Sequence, residues 1–499
     1  MAIPGGHGLP LALEAQLRSA NPYWRNQPLR QIPPYHRWPF ELLRKRLSDP
    51  LAPALVLRGP RQVGKTTLQE QLIQALLEQD HVAARRLFRV QFDEVQALRG
   101  ITDPILALSR WFEAEVLGTS FNEAARQGAP AFLFFDEVQN LRDWGVQIKA
   151  LVDTSSVRVV VTGSSALRRP LGRDSLAGRL TSIEIGPLYL REIAGLRGLG
   201  KLDPVLPFNG PGPLGERAFW EGLQVPPPPV KAIRDRAFQL FDRWGGYPLA
   251  HDHPESRWDE IAQQLRESVI QRAIQHDLRL GDRGRIRDER LLGEVFRLAC
   301  RYAGQAPSPA TLAEELRQTL PGDVGPQRIR HYLEFLDSTL LVRLIPPLEL
   351  RLKRRKGFPK IGICDPALRA AYLQERVPLG EELWEADQSL RAQAGHLAEG
   401  ILGYFLAGIP GIELAWWPER PGEPEVDFVV TIGTKRIPIE VKYRRPVDPR
   451  RDTEGLVVFT QRPANHASFG VLVTSEEPPP EGLPPSIVAV PLSSLLWIR

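Results

Sequence analysis

The sequence has little of what marks a secreted or membrane protein. Only two of its 499 residues are cysteines, Cys300 and Cys364, which excludes a disulfide scaffold and fits no zinc-binding spacing. No apolar run reaches the roughly 18 residues that a membrane-spanning helix needs. The N-terminus also lacks the apolar core of a signal peptide. We therefore expect a protein of the reducing cytoplasm without a membrane partner.

The composition is unusual in two further respects. Methionine occurs once, and arginine greatly outnumbers lysine, while proline is abundant with 47 residues. This pattern is typical of a thermophile and equally of a GC-rich genome, and the sequence does not separate the two. A hydrophobic content of 42% is ample for packed cores, and the length suggests roughly three domains. The net charge of +5 makes nucleic acid a candidate partner.

A phosphate-binding loop is the most informative feature that is present. Residues 59–66 read Gly-Pro-Arg-Gln-Val-Gly-Lys-Thr, after the apolar run 55–57 and before a segment of helical period. Such a loop surrounds phosphates with backbone N–H groups, while Lys65 reaches the β and γ oxygens and the Thr66 hydroxyl ligates Mg²⁺. We therefore predict bound ATP and Mg²⁺. The predicted nucleotide contacts in this loop are Gly59, Pro60, Arg61, Gln62, Val63, Gly64, Lys65, Thr66 and Thr67.

A pair of acidic residues supports hydrolysis of that nucleotide. Asp136 and Glu137 follow the continuous apolar run 131–135, which suits a central parallel strand. Catalytic groups gather at the carboxyl ends of such strands. We predict that Asp136 helps to hold Mg²⁺ and that Glu137 orients or deprotonates the attacking water.

Two other segments add candidates to this site. The strand at 157–161 runs into Thr-Gly-Ser-Ser, where Ser164 or Ser165 can sense the γ-phosphate; a turn with helix-capping serines is the alternative. Arg173 and Arg179 can act as arginine fingers on the nucleotide of a neighbouring subunit, or they can be surface arginines in an arginine-rich chain.

Alternating strands and helices predict a doubly wound parallel sheet of the P-loop NTPase type. After it, residues 196–231 are rich in glycine and proline, which predicts a stiff spacer or surface loop. The predicted organisation is an irregular N-terminal extension (1–35), an ATPase core (36–190), a helical lid with the 196–231 insertion (191–285), a winged helix (286–350), a basic connector (351–384) and a C-terminal domain (385–499).

The winged helix is predicted from three helices and a strand at 290–347. Its third helix would turn Gln327, Arg328, Arg330 and His331 outward, toward a DNA groove. A winged helix used only for protein packing is the alternative. The basic run 351–356 next to this module favours contact with phosphates.

The last hundred residues carry a second constellation. Glu440 and Lys442 lie two apart on a predicted strand and share a face, and Asp427 on the preceding strand can join them. Glu399 adds a carboxylate from a helix. Carboxylates and a lysine on one sheet face can bind Mg²⁺ and activate water against a phosphodiester. Pro438 speaks against this interpretation, because proline suits an edge strand better than a central one.

These motifs together resemble a family of bacterial and archaeal ATPases. The loop at Gly59–Thr67, Phe-Asp-Glu-Val-Gln, Thr-Gly-Ser-Ser, Leu-Ala-Gly-Arg and Gly-Gly-Tyr-Pro resemble AAA+-like ATPases related to the STAND NTPases. That resemblance implies a winged helix after the core and a C-terminal domain of the PD-(D/E)xK nuclease-like, restriction-endonuclease-like α/β fold. Asp427, Glu440 and Lys442 match the nuclease motif, and Glu399 matches its helical glutamate.

The sequence thus predicts a Mg²⁺-dependent ATPase acting on duplex or branched DNA, as in Holliday-junction migration or end processing. An arginine supplied by a neighbour implies a homo-oligomeric ring, which we expect to be a hexamer. Two alternatives stay open: a STAND-type ATP switch that controls a defence or transcription effector, and a nuclease gated by the ATPase.

Overall fold

The fold comes from a computed structural model that describes residues 9–48, 53–93, 98, 100–164, 178–207, 210–252, 257–277, 288–320, 324–349, 357–475, 477 and 479–499. The chain divides into two compact units, the first ending at Ile185 and the second beginning at Gly186. Across the described ranges, no helix combines the length and apolar character needed to cross a membrane. The finer predicted boundaries at 285, 350 and 384 stay predictions.

The first unit is an α/β layer structure around one parallel sheet. Its elements are α1 (Leu11–Ala20), α2 (Pro39–Leu47), β1 (Ala54–Gly59), α3 (Lys65–Glu78), β2 (Leu87–Gln91), α4 (Pro104–Phe112), α5 (Phe121–Arg126), β3 (Phe132–Asp136), α6 (Trp144–Thr154), β4 (Arg158–Ser164) and β5 (Leu180–Glu184). The strand order is β2-β3-β4-β1-β5, and all neighbours are parallel. The parallel sheet expected from the alternating pattern is therefore present.

The order of the strands decides which side chains meet. Strand β3 is buried along its whole length, as its run of apolar residues predicts. Strand β4 lies between β3 and β1, with Phe135 opposite Val161 and Gly59 opposite Ser164. The carboxyl ends of β1, β3 and β4 therefore meet at one edge of the sheet, where parallel sheets carry their binding sites.

The N-terminal segment closes the free edge of this sheet. The Asn21 side chain donates to the carbonyl of Arg89 at 2.9 Å and accepts from its N–H at 2.7 Å. The Trp24 indole donates to the carbonyl of Leu87 at 2.9 Å. These bonds satisfy main-chain groups of edge strand β2 that would otherwise be free to pair with another chain. The N-terminal extension that was predicted to be irregular therefore contains helix α1, and it forms part of the first unit.

The second unit combines helices with two small sheets. Its helices are α7 (Leu190–Leu196), α8 (Arg217–Glu221), α9 (Pro228–Trp244), α10 (Leu249–Asp252), α11 (Trp258–Gln264), α12 (Glu289–Arg301), α13 (Pro309–Arg317), α14 (Pro326–Ser338), α15 (Pro366–Leu373), α16 (Glu382–Glu385), α17 (Gln388–Ala407), α18 (Glu454–Thr460) and α19 (Leu492–Leu495). Its strands are β6 (Val342–Ile345), β7 (Lys360–Ile363), β8 (Glu413–Trp417), β9 (Val426–Ile432), β10 (Lys435–Lys442), β11 (Gly470–Thr474) and β12 (Ile487–Pro491).

The larger of these sheets has the order β12-β11-β10-β9-β8. Strands β8, β9 and β10 are antiparallel, whereas β10, β11 and β12 are parallel. Pro438 lies in β10, which is the central strand of this sheet. The first half of β10, which contains Pro438, pairs with β9, and pairing with β11 begins only at Ile439. The proline therefore lies at a locally edge-like position, which suits its missing N–H.

The glycine- and proline-rich segment differs from the expected spacer. The N–H groups of Val205 and Leu206 both donate to the carbonyl of Ile498, at 3.0 and 2.8 Å. The Gln224 side chain donates to the carbonyl of Ala489 at 3.1 Å, and Trp220 is fully buried. The segment is therefore packed against the C-terminal end of the chain. Apolar residues spaced between the prolines supply this packing.

Candidate functional site

The phosphate loop of the first unit has the shape that its glycines predict. The loop leaves β1 at Gly59 and enters α3 at Lys65. A Cβ atom on Gly59 would lie 2.1 Å from the carbonyl oxygen of Ile185, so only glycine fits there. Gly64 has a φ of +88°, a left-handed conformation that other residues rarely adopt. The loop therefore turns tightly into the N-terminus of a 14-residue helix.

Two buried contacts hold the loop in place. Val63 is fully buried, and its carbonyl accepts a 2.6 Å hydrogen bond from the guanidinium of Arg37. The Lys65 ammonium donates to the carbonyls of Gly59 at 3.1 Å and Pro60 at 2.6 Å. These acceptors are neutral, so the negative oxygens of a phosphate would compete well for this ammonium.

The acidic strand end meets the loop at Asp136, which is fully buried. The Thr66 hydroxyl donates to Oδ2 of Asp136 at 2.8 Å, and the Glu137 N–H donates to Oδ1 at 3.1 Å. The Thr162 hydroxyl also donates to Oδ1. Burial raises the pKa of Asp136, and the bond from Thr162 opposes that rise. A hydroxyl and a carboxylate from two elements are thus adjacent, and both are hard oxygen ligands that fit Mg²⁺.

The next residue, Glu137, is held in a strained conformation. Its φ is +54°, in the left-handed region that costs a non-glycine residue on the order of 1 kcal/mol. Its half-buried carboxylate accepts a hydrogen bond from the side-chain amide of Gln139. The turn after β3 therefore places this carboxylate within hydrogen-bonding reach of Gln139.

The structure brings together most of the residues predicted for the nucleotide site. Those from Gly59 to Thr67 form the loop and the first turn of α3, beside Asp136 and Glu137. Ser164 ends β4 opposite Gly59, while Ser165 and Arg173 lie outside the described residues. Arg179 is partly exposed and forms an ion pair with Asp153 of its own chain. Its predicted role toward a neighbouring subunit stays a prediction.

Some side chains reach the site from outside the motifs and were not predicted from the sequence. Thr162 binds Asp136, and Gln139 binds Glu137. The Gln69 amide donates to the carbonyl of Phe135 at 3.3 Å from the core side of α3. The sequence does contain a signal for such residues, namely a polar residue within an otherwise apolar strand or helix face. A polar residue at such a position is rarely buried without a hydrogen-bond partner.

The second constellation, in the C-terminal sheet, is also assembled. The Lys442 ammonium donates to Oε1 of Glu440 at 2.6 Å, which confirms that these side chains share a face of β10. Asp427 on β9 accepts a 2.8 Å bond from the N–H of Val441. Glu399 comes from α17 and is buried. Within the part of the chain that the structure describes, Glu399, Glu425 and Asp427 are a carboxylate group whose ligand atoms lie within 4.8 Å of one another.

A lysine that the sequence analysis did not consider lies among these carboxylates. The Lys360 ammonium donates to Glu399 at 2.5 Å, to Glu425 at 2.8 Å and to Asp427 at 3.0 Å. Its side chain is 3% exposed. The sequence signal was a single charge at the start of the apolar run 360–363. The place that a metal ion would take in this cluster is therefore filled by the protein's own cation.

The charges of this cluster shift one another's pKa values. Burial lowers the pKa of Lys360, but the neighbouring carboxylates, led by Asp427, outweigh it and raise that pKa well above its ordinary value. Burial and then Asp427 raise the pKa of Glu399, and the same two causes raise the pKa of Glu440 to about 8. Burial opposes the change at Asp427, yet the two lysines lower its pKa.

The third helix of the predicted winged helix presents polar side chains. Gln327, Arg328, Arg330 and His331 on α14 are all exposed, as expected. The Arg328 guanidinium lies 3.8 Å from the carboxylate of Asp288, so its charge is partly balanced. The basic run 351–356 lies outside the described residues.

The basic residues that follow β10 are partly engaged within the protein. Arg444 forms an ion pair with Asp452, and the Arg445 guanidinium lies 4.1 Å from the ring centre of Trp384. Arg450 and Arg451 are exposed. A polyanion would therefore meet Arg450 and Arg451 more readily than Arg444 and Arg445.

Comparison with known proteins assigns part of the chain. Residues 52–194 match the family model of an AAA domain, and residues 238–378 match a domain of unknown function (DUF8612). Most of the first unit is therefore similar to an AAA domain. The AAA match spans the loop, Asp136 and Thr162, which are the residues that the geometry brings together.

The similar proteins are uncharacterized, and they match different shares of this chain. An uncharacterized protein of Mycobacterium tuberculosis is 25% identical over 452 residues, which are 89% of this chain and 81% of that protein. An uncharacterized protein of Methanocaldococcus jannaschii is 26% identical over 163 residues, 31% of each chain. A Walker-type ATPase of Pyrococcus abyssi is 16% identical, covers 69% of this chain and 99% of that one, and has a TM-score of 0.39. A score this low supports no conclusion about function.

Proposed function

We propose that this protein is a Mg²⁺-dependent ATPase that uses nucleotide turnover for work on duplex or branched DNA. The nucleotide half of the proposal rests on the AAA domain and its site geometry. The DNA half rests on the helical module with an exposed polar third helix and on the nuclease-like pattern of the C-terminal sheet. A homo-oligomeric ring would complete the nucleotide site with an arginine of a neighbouring subunit, for which Arg179 is the candidate.

The roles of the residues at the nucleotide site follow from their positions. Lys65 would leave the carbonyls of Gly59 and Pro60 and contact the β and γ phosphates. Thr66 and Asp136 would hold Mg²⁺, which neutralises phosphate charge when bound. Glu137, just beyond the strand end, would orient the attacking water and accept its proton. Thr162 keeps the Asp136 carboxylate oriented toward Thr66.

A single observation carries the ATPase assignment. The Thr66 hydroxyl lies 2.8 Å from a carboxylate oxygen of Asp136, although the two residues are 70 positions apart in the sequence. A chance match to a phosphate loop has no reason to place its threonine against the acidic end of a second strand. Hydrolysing P-loop sites need that pairing, because both groups serve the same metal ion.

The helices α12, α13 and α14, followed by the antiparallel pair β6 and β7, support a winged helix. In that arrangement the third helix enters the major groove and the hairpin flanks it. The order α17-β8-β9-β10-α18-β11 in the C-terminal part supports a nuclease-like fold. Arg330 on α14 and Arg450 after β10, both exposed, would contact phosphates.

The decisive experiment measures ATP turnover with single-stranded, duplex and four-way-junction DNA. A motor on DNA should hydrolyse ATP steadily and several-fold faster with its preferred DNA. Lys65→Ala should abolish turnover, whereas Lys45→Ala, at an exposed lysine of α2, should leave it unchanged. Slow turnover that no DNA alters would favour the ATP switch and contradict the proposal.

The DNA contact has its own test. Replacing Arg330 by alanine should weaken DNA binding a few-fold and reduce its salt dependence, because one phosphate contact is lost. Arg126→Ala, at an exposed arginine of α5, is the matched control and should not alter binding. Fluorescence anisotropy at two salt concentrations measures both effects. Unchanged affinity for Arg330→Ala would remove α14 from the DNA interface.

The ring requires a subunit-mixing test. If Arg179 serves the nucleotide site of a neighbour, an excess of Arg179→Ala subunits should lower the ATPase rate of wild-type subunits. The ion pair with Asp153 would then be exchanged for a phosphate contact on assembly. Mixing without inhibition would leave Arg179 as a surface arginine.

A further inference from the structure

The carboxylate cluster of the C-terminal sheet does not fit the metal ion that its motif implies. Three carboxylates surround the ammonium of Lys360 at 2.5, 2.8 and 3.0 Å. An ammonium has three protons and accepts nothing, so these three contacts use its full bonding capacity. The cluster is thus complete with a monovalent cation that the chain itself supplies.

The backbone that carries this lysine is fixed to the cluster. Lys360 begins β7 and is paired with Ile345 of β6. Two residues further on, a Cβ atom on Gly362 would lie 2.9 Å from the main-chain nitrogen of Tyr404. Strand β7 therefore packs directly on the backbone of α17, the helix that carries Glu399. The ammonium is not a flexible surface group that happens to reach the cluster.

Aromatic rings also hold the ammonium in place. The Lys360 nitrogen lies 5.2 Å from the ring centre of Trp416 and 5.6 Å from that of Phe428. Both distances allow a cation–π attraction, which is strongest where water is excluded. The pocket therefore suits a cation on a hydrocarbon stem. A hydrated Mg²⁺ would instead need room for the several waters that this ion retains.

A divalent ion and this ammonium cannot share the cluster. Mg²⁺ requires oxygen ligands at about 2.0–2.1 Å in near-octahedral geometry. Lys360 binds one oxygen of Glu399 and one of Asp427, and the Val441 N–H donates to the other oxygen of Asp427 at 2.8 Å. The Glu440 carboxylate accepts from the Lys442 ammonium at 2.6 Å and from the Asp427 N–H at 3.4 Å. Binding a metal here would require the Lys360 ammonium to leave these oxygens.

We propose that Lys360 permanently replaces the metal ion, so that the C-terminal domain keeps a nuclease-like sheet but neither binds Mg²⁺ nor cuts DNA. This goes beyond the ATPase proposal, which holds whether or not the domain cuts. It also decides against the ATP-gated nuclease. The domain's contribution to DNA handling would then be binding alone, and the hydrogen bond between Lys442 and Glu440 would serve a structural role.

The test uses the full-length protein and terbium, a hard ion that prefers oxygen ligands and emits when a nearby tryptophan is excited. Trp416 lies beside the cluster and supplies that tryptophan. In the wild type we expect terbium not to bind the cluster. Asp427→Asn should therefore leave the terbium emission unchanged. In Lys360→Met we expect one new saturable component, which is competed by Mn²⁺ and lost in the double variant with Asp427→Asn. Lys435→Met, at an exposed lysine of β10, should behave as the wild type.

Two outcomes would overturn the proposal. One is wild-type terbium emission that saturates and disappears with Asp427→Asn, because the ion would then enter the cluster despite Lys360. The other is Mg²⁺-dependent DNA cutting by the wild type that Glu440→Ala abolishes. Both measurements need only variants that keep Lys360, so they decide the question even if Lys360→Met does not fold.

Discussion

Two buried lysines do different work in this protein. Lys65 at the phosphate loop contacts two neutral carbonyls, whereas Lys360 in the second unit contacts three carboxylates. Bonds to neutral acceptors are weaker than bonds to the charged oxygens of a phosphate, so a bound phosphate would compete with these carbonyls for the Lys65 ammonium. An ammonium that balances several buried charges is held more firmly, because its removal leaves those charges unpaired. The position of a lysine near a motif therefore indicates its function only when the groups that it contacts are also known.

The largest effect on stability should follow from replacing Lys360, because no other group can take its place among the carboxylates. Lys360→Met leaves three carboxylates without their cation, and breaking a buried ion pair from one side costs about 3–5 kcal/mol. We expect a clear fall in the midpoint of thermal unfolding, partly reversed by Mn²⁺. Lys435→Met, whose partner Glu216 is exposed, should change stability by less than about 0.5 kcal/mol. Equal midpoints for the two variants would show that the Lys360 contacts contribute little.

The second largest effect concerns ATP hydrolysis at the nucleotide site, the other region of the comparison. Glu137→Gln keeps the size and the contact with Gln139 but removes the group that activates water. ATP hydrolysis should fall by about 100-fold or more, which is the usual contribution of a general base, while ATP still binds. Steady-state turnover and nucleotide binding measure the two separately. Glu115→Gln, at an exposed glutamate, is the matched control. Turnover within a few-fold of the wild type would assign the base elsewhere.

Sequence predicted the first site far better than the second. The phosphate loop depends on consecutive residues, and its strand, turn and helix are local structures that glycine and apolar pattern specify. Thr162 meets Asp136 only because β4 lies between β1 and β3, an order that no local pattern encodes. Lys360 meets Glu399 and Asp427 through packing of segments 39 and 67 residues apart. The motif in the last hundred residues was visible, but the residue that changes its meaning lies outside it.

The pH dependence of stability offers a smaller effect. The pKa of Glu440 is raised to about 8 in the folded protein, so between its ordinary value and about pH 8 the folded state binds more protons than the unfolded state. Glu440 therefore contributes stability that is present in acid and is lost as the pH rises toward 8. Glu440→Gln, which cannot ionise, should flatten that loss in thermal unfolding measured from pH 5 to pH 9. An unchanged slope would mean that Glu440 is ionised throughout.

The smallest effect concerns the restraint on Glu137. The Gln139 amide occupies its carboxylate, and one such hydrogen bond is worth about 0.5–1.5 kcal/mol. If that bond competes with the attacking water, Gln139→Ala should raise the ATPase rate without DNA by roughly two- to tenfold and leave the DNA-stimulated rate nearly unchanged. Such a result would make Gln139 the group that DNA binding must displace, and Glu137, like Lys65, would be held by an exchangeable contact. A fall in both rates would mean instead that Gln139 positions the Glu137 carboxylate. The hydrogen bond between Gln139 and Glu137 would then be a fixed structural contact, like those of Lys360.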